Sequence, residues 1–293
     1  MIFGAASLWG GTATVARLTF RDYDVPPLTV VELRLFIACA LMLPWMLWRN
    51  PGGFRVRRED WAYLGILGVF GVAAIQGTYY YSISRLGVGV SILLQYLAPA
   101  LIVLFELLRG RPAKGRTLLA IGAAVAGTAL LVGGVDTAAL HATLLDWMIG
   151  FASALAFAFY IVFSKRGLSR YAPLTVLFYT FLIAGLLWAV VTPPWRIAAE
   201  NYGRDVWGLF LVIGIGSTLM PFALFNSGLK RLRPEEAGIL ATLEPVVAVL
   251  LAAVFLGESL RSFQWLGAAL VLGATLLASY QAPEQTAFAT ERV

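Results

Sequence analysis

The stretch Pro-Leu-Thr-Val at residues 27–30 recurs letter for letter at residues 173–176, and it marks an internal repeat that decides the fold. The same shift of 146 residues places Pro99 on Pro245 without a gap. Because one offset persists across most of each half, chance is a poor explanation. The chain is two copies of one unit, and a repeat has to be found before any element can be interpreted.

The composition of both copies is that of a membrane protein. Hydrophobic residues make up 60% of the chain and charged residues only 13%, with a mean hydropathy of +0.81. That is too little polar surface for a soluble globule of this size. Helical stretches of about 20 residues cross about 30 Å of hydrocarbon. The sequence predicts an all-α membrane protein with ten transmembrane helices, at 1–18, 28–48, 61–83, 87–108, 116–134, 145–164, 173–193, 206–229, 236–256 and 263–281.

Each copy contains five of these helices. The first repeat covers residues 1–135, the second covers 145–281, and residues 282–293 are expected to form a disordered tail. An odd number of helices makes the second copy enter the membrane from the opposite side. The prediction is therefore two inverted five-helix repeats.

The loop charges indicate the orientation. Most of the 22 Lys and Arg residues fall in loops on one face, and cytoplasmic loops collect such residues. Both termini are therefore expected in the cytoplasm. The net charge of +6 follows from this topology, so no nucleic-acid partner is expected.

Few residues are available for a metal site or a catalytic triad. The chain has one cysteine, Cys39, and one histidine, His141, and it lacks a phosphate-binding Gly-rich loop. Neither a His/Cys metal site nor a Ser-His-Asp triad can be built from this set. We expect no metal, no cofactor and no enzymatic activity.

Two motifs carry a resemblance to a known family. Glu-Leu-Arg at 32–34 precedes Leu-Phe-Ile-Ala, and Leu-Glu-Pro-Val-Val-Ala at 243–248 precedes Phe-Leu-Gly-Glu at 255–258. With two inverted five-helix copies, this pattern resembles the EamA-type members of the drug/metabolite transporter superfamily. The first copy departs from it, since Ala-Pro at 98–99 and Gly-Arg at 110–111 replace Glu-Pro and Gly-Glu.

The resemblance implies a transporter in the bacterial cytoplasmic membrane, with a small-molecule substrate and the lipid bilayer as its surroundings. Its members export amino acids, metabolites and toxic compounds, so an exporter of amino acids or similar small metabolites is the first interpretation. Import or exchange of a sugar phosphate or nucleotide sugar is the alternative, followed by a membrane-embedded enzyme or a passive channel. A homodimer is left open.

Three of the prolines within predicted helices are candidate hinges. Pro99 and Pro245 occupy equivalent places in the fourth and ninth helices, and Pro221 lies in the eighth. Proline interrupts helical hydrogen bonding, so these positions are candidate hinges for alternating access between inverted halves. Static shaping of the helices explains them equally well.

Polar side chains on otherwise apolar helices face a cavity or a neighbour, because contact with lipid is costly. The predicted substrate site contains eight such residues: Gln76, Tyr79, Tyr80, Gln95, Ser153, Tyr160, Asn226 and Glu244. Helix packing is the stronger explanation for Ser153, and an interfacial aromatic belt competes for Tyr79 and Tyr80. The amides Gln95 and Asn226 are harder to explain in those ways.

The acidic residues inside the spans leave alternatives open. Glu244 could carry a coupling proton, receive a substrate ammonium group, or bond to backbone groups beside Pro245. Glu32 and Arg34 point to different sides of their helix, so they are expected to contact other helices or the exit mouth.

Overall fold

The fold is helical throughout the part of the chain that the structure describes. This computed structural model describes residues 1–23, 25–133, 137–256 and 261–280, and every regular element in these ranges is a helix. The predicted tail at 282–293 and the Gly-Glu motif at 257–258 lie outside them.

Ten long helical segments, α1 to α10, follow one another in the described residues. Six are uninterrupted: α1 is Ile2–Asp22, α2 Pro27–Arg49, α5 Gly115–Val132, α6 Leu144–Arg170, α7 Pro173–Val191 and α10 Ser262–Ser279. Four consist of pieces: α3 is Trp61–Ile66, Leu67–Ala73 and Ala74–Leu86; α4 is Val88–Gln95 and Ala98–Leu108; α8 is Arg204–Val212, Ile213–Leu219 and Met220–Leu229; α9 is Pro234–Ala241 and Leu243–Leu256. Short helices span Pro51–Phe54, Arg58–Asp60, Thr137–Leu140 and Pro194–Ala199.

Local sequence explains where several helices begin. Pro27, Pro173 and Pro234 each open a helix, at a position where the missing N–H costs nothing and the fixed φ suits the first turn. Asp146 and Thr143 form a reciprocal capping box at the start of α6.

The membrane class is confirmed, whereas the ten-span count stays a prediction. Among the described residues, eight helical segments are long and apolar enough to cross a bilayer, and α1 and α9 are not among them. The predicted boundaries agree closely with the helices, and the largest difference is at the end of α6, which continues to Arg170.

Burial is arranged as it is in a membrane protein. Leu108, Leu119 and Val190 expose 80%, 70% and 78% of their surfaces, while Ser164 and Asn226 are fully buried. Apolar side chains outside and polar side chains inside are unfavourable in water and favourable in lipid.

The two halves pack on each other in a paired arrangement. α1 contacts α8 and α9, and its equivalent α6 contacts α3 and α4. α2 contacts α7 and α8, its equivalent α7 contacts α2 and α3, and α5 packs on α10. Exchanging each helix with its equivalent reproduces these particular contacts, as a pseudo-twofold relation requires.

Equivalent residues also make equivalent close contacts. A Cβ atom on Gly68 would lie 2.8 Å from Ile183 Cγ2, and one on Gly214 would lie 2.6 Å from Ile37 Cγ2. Both pairs obey the 146-residue shift. Glycine permits this close approach of neighbouring helices on both sides of the repeat.

The interruptions of the helices repeat as well. The π-helical turns Leu67–Ala73 and Ile213–Leu219 are equivalent, and the breaks at residues 96–97 of α4 and 242 of α9 correspond. Pro99 and Pro245 follow these breaks and lack the N–H that an α-helix would supply to the carbonyl four residues earlier. The predicted hinge positions therefore coincide with real interruptions, while their movement stays a prediction.

Candidate functional site

A cavity of about 400 Å³ lies between the two halves. Its volume is in the range of small-molecule sites. The wall combines apolar and aromatic side chains with two charged residues of opposite sign, Arg34 and Glu244. Its other polar members are Thr12, Gln76, Tyr79, Tyr80, Ser84, Gln95, Tyr96 and Ser217.

The mouth of the cavity lies at one end of the helix bundle. Pro27, Ser84 and Val88 line it near the ends of α2, α3 and α4, and Ser84 and Val88 are exposed. Asp146 at the start of α6 accepts hydrogen bonds from Tyr81 and Arg85 near the end of α3. α6 therefore begins at the mouth and ends at the opposite face.

Arg34 is held by three groups on other helices. Its Nε donates to Thr218 Oγ1 at 2.6 Å, one terminal nitrogen donates to the Ser217 carbonyl at 2.8 Å, and the other donates to the Tyr80 hydroxyl. The side chain is 95% buried, so its rotamer is fixed. Sequence reasoning expected contacts with other helices but missed that Arg34 lines the cavity.

The carbonyl that receives Arg34 is available because of a proline. In an α-helix the Ser217 carbonyl would accept from residue 221, and Pro221 has no N–H. The π-helical turn of α8 directs this carbonyl to Arg34 and to Trp9, whose Nε1 donates at 3.1 Å. Pro221 therefore adjoins the arginine site and supplies no α-helical donor to this carbonyl.

Glu244 is positioned by α1 and α4. The Tyr96 hydroxyl donates to Glu244 Oε2 at 2.6 Å, and among the described residues no donor bonds to Oε1. A Cβ atom on Gly10 would lie 2.6 Å from the Glu244 carbonyl oxygen, so α1 approaches the backbone of α9 directly. The structure therefore places the Glu244 side chain at the cavity wall.

Five of the eight predicted site residues line this cavity. They are Gln76, Tyr79, Tyr80, Gln95 and Glu244. Ser153 does not, because its hydroxyl donates to the Gly150 carbonyl of its own helix at 2.6 Å in a fully buried contact. The packing explanation fits Ser153, and a binding role for the other five stays a prediction.

Tyr160 and Asn226 lie beyond the cavity wall, which differs from the predicted single pocket. The Tyr160 hydroxyl donates to Asn226 Oδ1 at 2.9 Å, and both side chains are fully buried. Phe222 lines the cavity and packs edge to face on Tyr160 at 5.9 Å between ring centroids. Phe222 and Phe225, which both pack on Tyr160, form an aromatic layer that separates this polar pair from the cavity.

The opposite end of the bundle is closed by polar contacts. Lys165 of α6 donates to the carbonyl oxygens of Leu229 and Leu232 at 2.8 and 2.6 Å. Asp60 accepts from Arg170 at 2.9 Å and from the Tyr171 hydroxyl at 2.6 Å. Burial and this bond raise the pKa of Tyr171, so its hydroxyl remains a donor.

Sequence reasoning also missed cavity residues besides Arg34. Trp9, Thr12 and Tyr96 line the wall together with Ser217. A signal for Arg34 was present, since it is a basic residue inside a predicted span and intramembrane charges are functional candidates by default. In the described part of the chain no group of three His, Cys, Asp or Glu residues could hold a metal ion.

Comparison with known proteins identifies the family. The sequence model of the EamA-like transporter family matches residues 1–133 and again residues 146–280. The chain belongs to the EamA-like transporter family. Its fold is an inverted-repeat membrane fold, which confirms the predicted class.

The relatives of this EamA-like chain are transporters. It is 31% identical to an Archaeoglobus fulgidus transporter over 88% of both chains, and 28% identical to the Salmonella typhimurium inner membrane transporter YicL over 94% of this chain and 92% of that one. It is 27% identical to the Escherichia coli threonine/homoserine exporter RhtA over 94% and 88%. A crystal structure at 24% identity matches 96% of both chains with a TM-score of 0.77, which supports the fold. The protein is therefore a multi-pass membrane transporter.

Proposed function

We propose that this transporter exports amino acids or similar small metabolites across the bacterial cytoplasmic membrane by alternating access. The observation that carries the proposal is the cavity between two equivalent halves, which has an exposed mouth at Ser84 and Val88 and a closed opposite end. The relatives named as threonine/homoserine exporters supply the substrate class to be tested.

The repeat supplies the mechanism in this proposal. If the halves exchange their conformations, the equivalent helix ends at the mouth come together, the closed end separates, and the cavity opens to the other side. The helix interruptions at Pro99, Pro221 and Pro245 are the proposed places of bending, because their backbone hydrogen bonds are already incomplete.

The proposed orientation places both termini in the cytoplasm, since the basic loops lie at that face. The mouth then faces the periplasm, and the contacts of Lys165 close the cytoplasmic end. The structure corresponds to an outward-facing state in this proposal.

Counterflow tests the transport mode. Proteoliposomes loaded with unlabelled L-threonine are diluted into trace labelled L-threonine, and transient accumulation of label is expected because a carrier exchanges substrate across the membrane. A passive channel gives no accumulation above equilibrium. Accumulation with sugar phosphates but with none of the amino acids would support the exchanger alternative instead.

Cysteine accessibility tests the two-sided opening. In a Cys39→Ser background, cysteine at Ser84 should react with a membrane-impermeant maleimide from the periplasmic side, and cysteine at the fully buried Ser164 should not. Adding Lys165→Met removes the bonds at the closed end, so labelling of Ser164→Cys from the cytoplasmic side should rise severalfold. Equal protection with and without Lys165→Met would contradict the assigned closed end.

A further inference from the structure

Arg34 and Glu244 are the two charged side chains among the described residues of the cavity wall, and they carry opposite charges. No salt bridge joins them, although Arg34 acts electrostatically on the Glu244 carboxylate. A cation and an anion therefore face one cavity without neutralising each other directly. In a site of low dielectric, charges left without a counter-charge are costly.

Each charged group keeps hydrogen-bonding capacity for a ligand. A guanidinium group has five N–H donors, and the three bonds to Thr218, Ser217 and Tyr80 use one on each nitrogen. One N–H on each terminal nitrogen remains to donate to a carboxylate. Glu244 uses Oε2 with Tyr96 and keeps Oε1.

We infer that the cavity recognises a zwitterion, with Arg34 binding its carboxylate and Glu244 binding its ammonium group. This assignment rests on the proposed function and gives it a physical basis: an α-amino acid is a solute whose two charges complement both walls. A net anion or a net cation would satisfy one wall and leave the other uncompensated. The apolar surfaces of Trp9, Phe157 and Phe222 are available to the side chain of the substrate.

The arrangement depends on asymmetry between the repeats. The residue equivalent to Arg34 is Thr180, and the residue equivalent to Glu244 is Ala98. Each charge is present once, one from each half, so both halves hold the same ligand. A bound zwitterion would therefore contact both halves of the protein, whose relative movement the proposed function requires.

Three probes that carry different charges test the inference. They are L-threonine, L-threonine amide, which lacks the carboxylate charge, and N-acetyl-L-threonine, which lacks the ammonium charge. Thermal stabilisation of the purified protein reports binding, because a ligand of the folded state raises its stability. For the parent we expect L-threonine to bind at least tenfold more tightly than either derivative.

Variants of Glu244 and Arg34 test the two charged groups one at a time. Glu244→Gln should lose at least tenfold in L-threonine affinity and bind L-threonine and N-acetyl-L-threonine equally, because its discrimination against the missing ammonium is gone. Discrimination against the amide should persist through Arg34. Glu106→Gln is the matched control, since Glu106 pairs with Arg111 outside the cavity and the parent pattern should be retained.

Arg34 also supports structure, so its variants need a second measurement. Arg34→Gln should bind the amide and L-threonine equally, while Arg34→Lys keeps the positive charge and should retain a preference for L-threonine over the amide. If Arg34→Gln does not fold, as judged by size-exclusion chromatography, the Arg34→Lys and Glu244→Gln patterns decide, and loss of the preference over the amide in a folded Arg34→Lys overturns the role of the positive charge.

The outcomes distinguish this inference from the proposed function. Equal binding of all three probes by the parent, together with L-threonine counterflow, overturns the zwitterion site and leaves amino-acid transport standing. Retention of full discrimination by Glu244→Gln overturns the role of Glu244. Absence of binding and counterflow for L-threonine and every other common amino acid overturns both proposals.

Discussion

The two copies of the repeat share a backbone plan but differ in chemistry. Gln76, Tyr79 and Tyr80 of α3 line the open cavity, whereas the equivalent Phe222, Phe225 and Asn226 of α8 form or adjoin the aromatic layer that ends it. The π-helical turns and the Gly–Ile contacts, in contrast, are equivalent in both copies. Packing between the halves therefore preserves the repeat, while the substrate path is built from residues that the copies do not share.

The largest effect on stability is expected when a carboxylate is introduced at Ala98, the position in the first repeat that is equivalent to Glu244. Ala98 is fully buried and does not line the cavity, so Ala98→Glu should destabilise the protein by about 3–5 kcal/mol by burying an unpaired charge. Melting temperature and the folded fraction in detergent measure this. Ala98→Ser is the control, because a hydroxyl can bond to its own helix.

Combining Ala98→Glu with Glu244→Ala sharpens the same comparison. The double variant should not recover L-threonine counterflow, because the two positions are equivalent in the repeat but only Glu244 faces the cavity. Recovery to the parent rate would show that the copies are chemically interchangeable.

An intermediate effect is expected at the shared contacts. Gly68→Ala and Gly214→Ala each place a Cβ atom within 3 Å of an isoleucine, and overpacking of this kind costs about 1–3 kcal/mol. The two variants should lower the melting temperature by similar amounts, because the contacts are equivalent. Gly122→Ala, with no atom within 4 Å of the added Cβ, should not lower the melting temperature; a large difference between the first two would break the equivalence.

The smallest effect is expected beyond the aromatic layer. Tyr160→Phe removes the bond to Asn226 and should cost about 1 kcal/mol of stability, while binding of L-threonine to the open cavity is unaffected because Tyr160 does not line it. Gln95→Ala should show the converse, a severalfold loss of affinity with little change in melting temperature. Loss of affinity in Tyr160→Phe would place Tyr160 in the outward-facing site.

Several features of this protein could be predicted from its sequence. A fixed offset between copies and long apolar runs are local properties, so the class and the helix boundaries followed directly. Helical spacing placed Gln76 and Tyr80 on one face, and the cost of polar groups against lipid indicated that this face is internal. The position of Glu244 beside Pro245 in an apolar helix was visible in the same way.

The tertiary structure alone decided which internal faces share one cavity. Periodicity defines a face of a helix but not the depth or rotation of that helix against its neighbours, so Tyr160 and Asn226 could not be distinguished from Tyr80 and Gln95. Arg34 belongs to the cavity because a carbonyl 183 positions away in sequence, without its N–H donor at Pro221, accepts its hydrogen bond. A contact of that kind depends on how α2 and α8 pack, and no local pattern of residues contains that information.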